Sequence, residues 1–212
     1  MLLTAREVHN RGGTLKVISQ FWSKRQRVGL WCESVPEFEY CFHLELDLDV
    51  VRFVTQPTTI TYELDGVERR HTPDFEVECR GSCRLAYVNV KPESVASYHG
   101  FRAQADAITK ALAKRHATHE VVTAERIAAA PRLPNLKLLY MHLDRVVTPS
   151  ALTEVGKLME THGMTTAAMV ADSLRAHGDI GLVWALVAKG HLTADMNQLL
   201  SLNTRLSLGT EP

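Results

Sequence analysis

The sequence has no long hydrophobic run, no cysteine framework, no excess of either charge and no biased tract. Its longest apolar stretch, Ile180–Ala188, is far short of the ~20 residues of a membrane-spanning helix. The opening Met1-Leu2-Leu3-Thr4-Ala5-Arg6-Glu7 carries no apolar core of the kind a secretory signal needs, so a cytoplasmic protein with no membrane partner is expected. Cys32, Cys41, Cys79 and Cys83 are the only cysteines. Only the last two are close, and no second pair of matching spacing follows, which excludes the usual zinc frameworks and leaves reduced thiols as the expectation. His116 and His119, three apart, read as a solvated surface pair. Collagenous, low-complexity and disulfide-scaffold classes are excluded by composition, with Gly 12 and Pro 8 in 212 residues. No internal repeat is evident.

What is present is a chain with 45% hydrophobic residues, long enough to bury one core or two. Its zero net charge is unevenly distributed. Residues 1–30 hold six basic side chains (Arg6, Arg11, Lys16, Lys24, Arg25, Arg27) against Glu7, whereas residues 31–65 hold eight acidic ones against Arg52. A basic arm beside an acidic segment suits a phosphate-binding surface next to a cation site, although two solvated amphipathic faces would give the same pattern.

Hydrophobic spacing orders the elements. Phe38, Cys41, Phe42 and Leu46 recur at helical spacing, and Ser34 with Glu37 has the spacing of a capping box, so a first helix is expected over 34–46. Runs rich in Val, Thr, Ile, Phe and Tyr predict strands over 50–55, 58–64, 67–79 and 84–91, with hairpin turns at Asp65-Gly66 and Gly81-Ser82. An amphipathic helix over 97–116 and a short strand over 120–123 follow. Helix, strands, helix, strand implies an α/β sandwich, a mixed sheet flanked by helices. Pro131, Pro134 and Pro149 punctuate a helical run over 135–143, and a domain boundary is expected near Pro149. Beyond it, short helices are punctuated by Gly163, Gly178 and Gly190 as C-caps and by Thr165 and Asp179 as N-caps, and 204–208 alternates like a strand. That layout suggests a small winged-helix-like domain over 150–212.

Three positions carry the chemistry. Asp74 follows Pro73 at a strand bend, and Asn89 and Lys91 are two apart on the next strand, hence on one face. A carboxylate, an amide oxygen and an ammonium around one point, with Glu37 on the first helix as a second carboxylate, could hold magnesium against a scissile phosphate and stabilise developing charge. Taken singly, each has a plainer explanation: a strand-end bend, an edge lysine before Pro92, and a capping-box glutamate.

Four stretches in order, Ser34-Val35-Pro36-Glu37, Asp49 through Gln56-Pro57, His71-Thr72-Pro73-Asp74-Phe75 and Val88-Asn89-Val90-Lys91-Pro92, resemble the successive motifs of TnsA-type endonucleases. These are subunits of heteromeric DNA transposases built on the restriction-endonuclease-like PD-(D/E)xK core. The resemblance covers about residues 14–130 and weakens beyond. It implies a restriction-endonuclease-like nuclease domain over 1–149, with Glu37, Asp74 and Lys91 catalytic, Glu37, Asp74 and Asn89 ligating Mg2+ (Mn2+ substituting), and Gln56 in support. Lys24, Arg25 and Arg27 would then bind DNA. Asn89 departs from the acidic residue of the superfamily and from the glutamine usual in TnsA-type proteins, and Pro36 departs from a bulky apolar residue. The implied activity is cleavage of the non-transferred strand at the 5′ ends of a transposon. The implied partners are transposon-end DNA, a DDE-class transposase and an AAA+ regulator, and the implied place of action is the nucleoid. With only Lys157, Arg175, Lys189 and Arg205 basic beyond residue 150, the second domain reads as partner-docking rather than DNA-tracking. Another nuclease of the same core, restriction or junction-resolving, and a non-catalytic adaptor of the same fold remain as alternatives.

Overall fold

The computed structural model describes residues 18–82 and 84–209; Arg6, Arg11, Lys16 and Cys83 lie outside them. The chain divides between Ala128 and Ala129 into two compact units.

The first unit opens with a hairpin that the sequence reading did not anticipate, β1 (Ser19–Ser23) against β2 (Val28–Cys32). Alternation turns the paired Phe21 and Leu30 inward and leaves Trp22 and Trp31 outward, 54% and 48% exposed. Phe21 packs edge-on against Phe38 and Phe42 of helix α1 (Val35–Leu46), with ring centroids 5.8 and 5.1 Å away. Ser34 caps α1 by accepting the Glu37 N–H, and Pro36 falls in the first turn, where a missing N–H leaves no helical bond unmade. Val35 is therefore helical despite the proline after it.

A four-stranded sheet in the order β3-β6-β7-β8 forms the centre. β3 (Val50–Thr55), β6 (Phe75–Cys79) and β7 (Ala86–Lys91) run antiparallel, and β8 (Thr118–Thr123) joins β7 in parallel. The parallel pair requires a crossover, which α2 (Glu93–Ala96) and α3 (His99–Ala113) supply. A separate hairpin, β4 (Ile60–Leu64) with β5 (Val67–His71), turns at Asp65 and Gly66, both at positive φ. The strand expected over 67–79 is thus two strands. Pro73 has no N–H for a ladder, and the chain breaks there before re-entering the sheet at Phe75. On one face Tyr87 joins Ile60, Tyr62, Ile108 and Leu112 beneath α3; on the other, Phe75 meets Tyr40 of α1 at 5.2 Å. Helix α4 (Ala124–Ile127) ends the unit, with the Ile127 carbonyl 3.0 Å from His43 Nε2.

The second unit contains α5 (Arg132–His142), α6 (Pro149–His162), β9 (Thr165–Thr166), α7 (Ala167–Ser173), α8 (Ile180–Ala188), β10 (Leu192–Ala194) and β11 (Arg205–Leu208). Its three strands form an antiparallel sheet in the order β10-β11-β9. The boundary lies ahead of the expected Pro149 because α5 packs on α8. Asn135 of α5, only 1% exposed, donates to the Met196 and Gln198 carbonyls and accepts the Leu200 N–H. Gly163 (φ 65) caps α6, Asp179 caps α8 by accepting the Gly181 N–H, and Gly190 (φ 79) follows α8. Thr166, not Thr165, caps α7: its hydroxyl accepts the Met169 N–H, whereas the Thr165 hydroxyl turns to Met169 Sδ. Gly178 falls past the α7 cap at Leu174. Among the described residues no helix is long and apolar enough to cross a membrane.

Candidate functional site

The break at Pro73 sets the site's first residue. Asp74 enters the sheet with its N–H on the Val88 carbonyl, and its own carbonyl accepts the Gln56 N–H, both at 3.0 Å. Gln56 is 4% exposed and holds φ at 47°, a left-handed conformation rare for a residue with a side chain; it lets the chain leaving β3 turn back against Asp74. Gln56 thus meets Asp74 through its backbone N–H.

Three donors converge on one oxygen of the Asp74 carboxylate. Oδ2 accepts the Val90 N–H at 2.8 Å, the Lys91 ammonium at 3.0 Å and the Asn89 amide nitrogen at 3.3 Å. The Lys91 ammonium also reaches the Val90 carbonyl at 3.0 Å. One cation thus already bridges a carboxylate and a backbone carbonyl, so these oxygens form a pocket of hard donors shaped for positive charge.

Glu37 is fixed by its own helix terminus. Its Oε2 accepts the Glu33 N–H at 2.8 Å and its Oε1 the Ser34 hydroxyl at 2.9 Å, so the residue does cap, yet it is also 7% exposed and close enough to feel Asp74. Burial first, then the Asp74 charge, raise the Glu37 pKa; the two local hydrogen bonds oppose the shift. A Glu37 carboxyl raised by burial and by the charge of Asp74 gains from a cation beside it. Among the described residues no set of three or more His, Cys, Asp and Glu side chains gathers for a metal. Side-chain ligation here would come from Glu37 and Asp74, and the remaining ligands would be the Val90 carbonyl, water or phosphate oxygens. That all-oxygen set fits magnesium or manganese.

Asn89 is placed differently from the expectation that its oxygen would face the metal side. It is 1% exposed, and its Oδ1 lies 3.0 Å from His71 Nε2 and 2.9 Å from His119 Nε2, while its NH2 group faces Asp74. The donor end of the amide serves the Asp74 carboxylate, which can only accept, and the two imidazole nitrogens line its oxygen. His71 and His119 are the residues the sequence reading missed. His71 stands three residues before Asp74 within a motif already noted, while His119 was read as surface. Strand β8 instead pairs it with Tyr87, on the face that carries Asn89.

The basic residues of the first hairpin divide. The Arg25 guanidinium donates to the Glu45 and Asp47 carbonyls at the end of α1, and its N–H donates to the buried Glu45 carboxylate, so it closes that helix. Lys24 and Arg27 flank it in the turn. Cys32 and Cys41 are buried free thiols with Sγ atoms 3.7 Å apart. A scan against protein-family models finds no match for this chain, and neither does a search of curated protein sequences.

Proposed function

We propose that the chain is a metal-dependent DNA endonuclease of the TnsA type, cleaving the non-transferred strand at transposon 5′ ends beside a DDE-class transposase. The observation that carries the reading is the Lys91 ammonium bound at 3.0 Å to both Asp74 Oδ2 and the Val90 carbonyl, on a mixed sheet with Glu37 close by. Proline-aspartate on one strand and a lysine on the next, two residues after a polar side chain, is the restriction-endonuclease-like pattern, and here the groups meet. When bound, magnesium would neutralise phosphate charge and lower the pKa of an attacking water. Asp74 and Glu37 would hold that ion. Lys91, freed from the oxygens it now bridges, would be positioned to donate to the phosphate or orient the water.

In the second unit the order α6-β9-α7-α8-β10-β11, with sheet order β10-β11-β9, supports a winged-helix reading. The helix that would read DNA in such a module, α8, is buried along Gly181, Leu182, Val183, Trp184, Ala185 and Leu186 and is covered by α5. That favours docking of the transposase or an AAA+ regulator over DNA readout.

The test is strand-specific cleavage in the reconstituted transposase complex with Mg2+. Asp74→Ala is expected to abolish 5′-strand cutting while 3′ cutting and joining persist, and Asn89→Ala to impair it less. Unchanged 5′ cutting by Asp74→Ala would remove this chain as the nuclease.

A further inference from the structure

We infer that the Lys91 ammonium is a built-in competitor for the metal: it occupies oxygens that a divalent ion would take, and a phosphate of bound DNA draws it off, so that metal and DNA load together. This rests on the nuclease reading above. Lys91 Nζ lies 3.0 Å from Asp74 Oδ2 and 3.0 Å from the Val90 carbonyl. Glu37 aside, these are the protein groups left to ligate the ion. The Lys91 and Asp74 side chains are only 28% and 12% exposed, so water screens their attraction less than it would on an open surface.

The site is arranged for exchange of one cation for another. Asp74 is anchored without the lysine, because Oδ2 also accepts the Val90 N–H at 2.8 Å and the Asn89 amide nitrogen at 3.3 Å. The ammonium, by contrast, rides on a flexible stem and stays charged throughout. It cannot simply remain in place. An ion on the other carboxylate oxygen would still face its charge, and the Val90 carbonyl would have to be shared by two cations that repel each other. Leaving these oxygens for water alone gives up two charge-assisted bonds, whereas leaving them for a phosphate replaces what is lost. Lys91 therefore holds metal affinity down in the DNA-free chain. By linkage, phosphate and metal each strengthen the binding of the other. A residue assigned to help cleavage thus has an opposite effect on loading: its removal should tighten metal binding.

The experiment is titration of the full chain with Mg2+, read by 1H–15N NMR at the Val90 N–H, which bonds Asp74. Wild type, Lys91→Met and Lys91→Arg are compared, with thermal melts to show that each is folded; Lys91→Gln replaces the methionine variant if that one does not fold. Without DNA, Lys91→Met is expected to bind Mg2+ roughly tenfold tighter or more, as the loss of one charge-assisted bond implies. Lys91→Arg keeps the charge and should stay near wild type. A short DNA duplex should then raise the affinity of wild type by a larger factor than that of Lys91→Met. Equal or weaker Mg2+ binding by folded Lys91→Met, or Lys91→Arg binding as tightly as Lys91→Met, would overturn the competition and leave the nuclease reading standing. Equal gains from DNA in wild type and Lys91→Met would overturn the coupling to phosphate. No Val90 shift at saturating Mg2+ in any of the three would overturn the metal-binding reading together with this inference.

Discussion

Glu37 shows how one side chain can be held by its helix and still be poised for a ligand. Its carboxyl pKa stands above the ordinary 4.5, mainly through burial and then through Asp74. A carboxyl raised on folding lends stability that is complete below the ordinary value and is lost as pH climbs through the raised one. The protein should therefore lose stability from this group as pH climbs from the ordinary 4.5 through the raised value. Glu37→Gln removes that loss: a glutamine can accept the Glu33 N–H and donate to Ser34 Oγ. In chelator the variant is expected to melt above wild type at pH 7 and to converge with it as pH falls toward the ordinary carboxyl range; thermal melts across that range check it. Added Mg2+ should stabilise wild type and not the variant. Gln56 makes a second prediction. At φ 47° a β-branched side chain is strained, so Gln56→Val should cost about 1–3 kcal/mol, whereas Gln56→Asn, which tolerates that region, should cost less in chemical denaturation.

At the scale of elements the instructive pair is α5 and α8. Asn135 satisfies three backbone groups of residues 196–200 from α5, one of them the Leu200 N–H. Asn135→Ala strands these groups and should destabilise the second unit by roughly 2 kcal/mol or more, read by denaturant unfolding. A fragment of residues 150–212 lacks α5 and leaves the apolar α8 uncovered, so it should aggregate where 129–212 folds; circular dichroism and sedimentation of the two separate these outcomes. The same helix shows what the sequence could tell. Helix α1, the hairpin at Asp65-Gly66 and the cap at Asp179 were legible because their signals are local: a cap, a turn pair, a period. The role of α5 was not: its helical run could be read over 135–143, but the partners of Asn135 lie some sixty residues on. The site divides likewise. Asp74 and Lys91 follow from strand spacing, but His119 enters only through the parallel pairing of β8 with β7, a non-local fact that alternation within 118–123 does not encode. The β1–β2 hairpin was missed for want of a turn signal at Lys24-Arg25-Gln26-Arg27.

Across the whole molecule, activity and recruitment are expected to sit on separate units. A chain truncated after Ala128 keeps Glu37, Asp74 and Lys91 with the elements that position them, and should retain its fold while losing capture of the AAA+ regulator or transposase; equal capture by truncated and full-length protein in a pull-down would count against docking by the second unit. The placement of the three tryptophans bears on how such a molecule can be watched. Trp22 and Trp31 stand on the open face of the first hairpin, whereas Trp184 is 5% exposed inside α8. Indole emission moves to shorter wavelength as water is excluded, and collisional quenchers reach only rings that meet solvent. The native fluorescence should resolve into a red, quenchable part belonging to the first unit and a blue, shielded part belonging to the second, so that each unit's unfolding, or a partner settling over the hairpin, can be followed by its own light without a label.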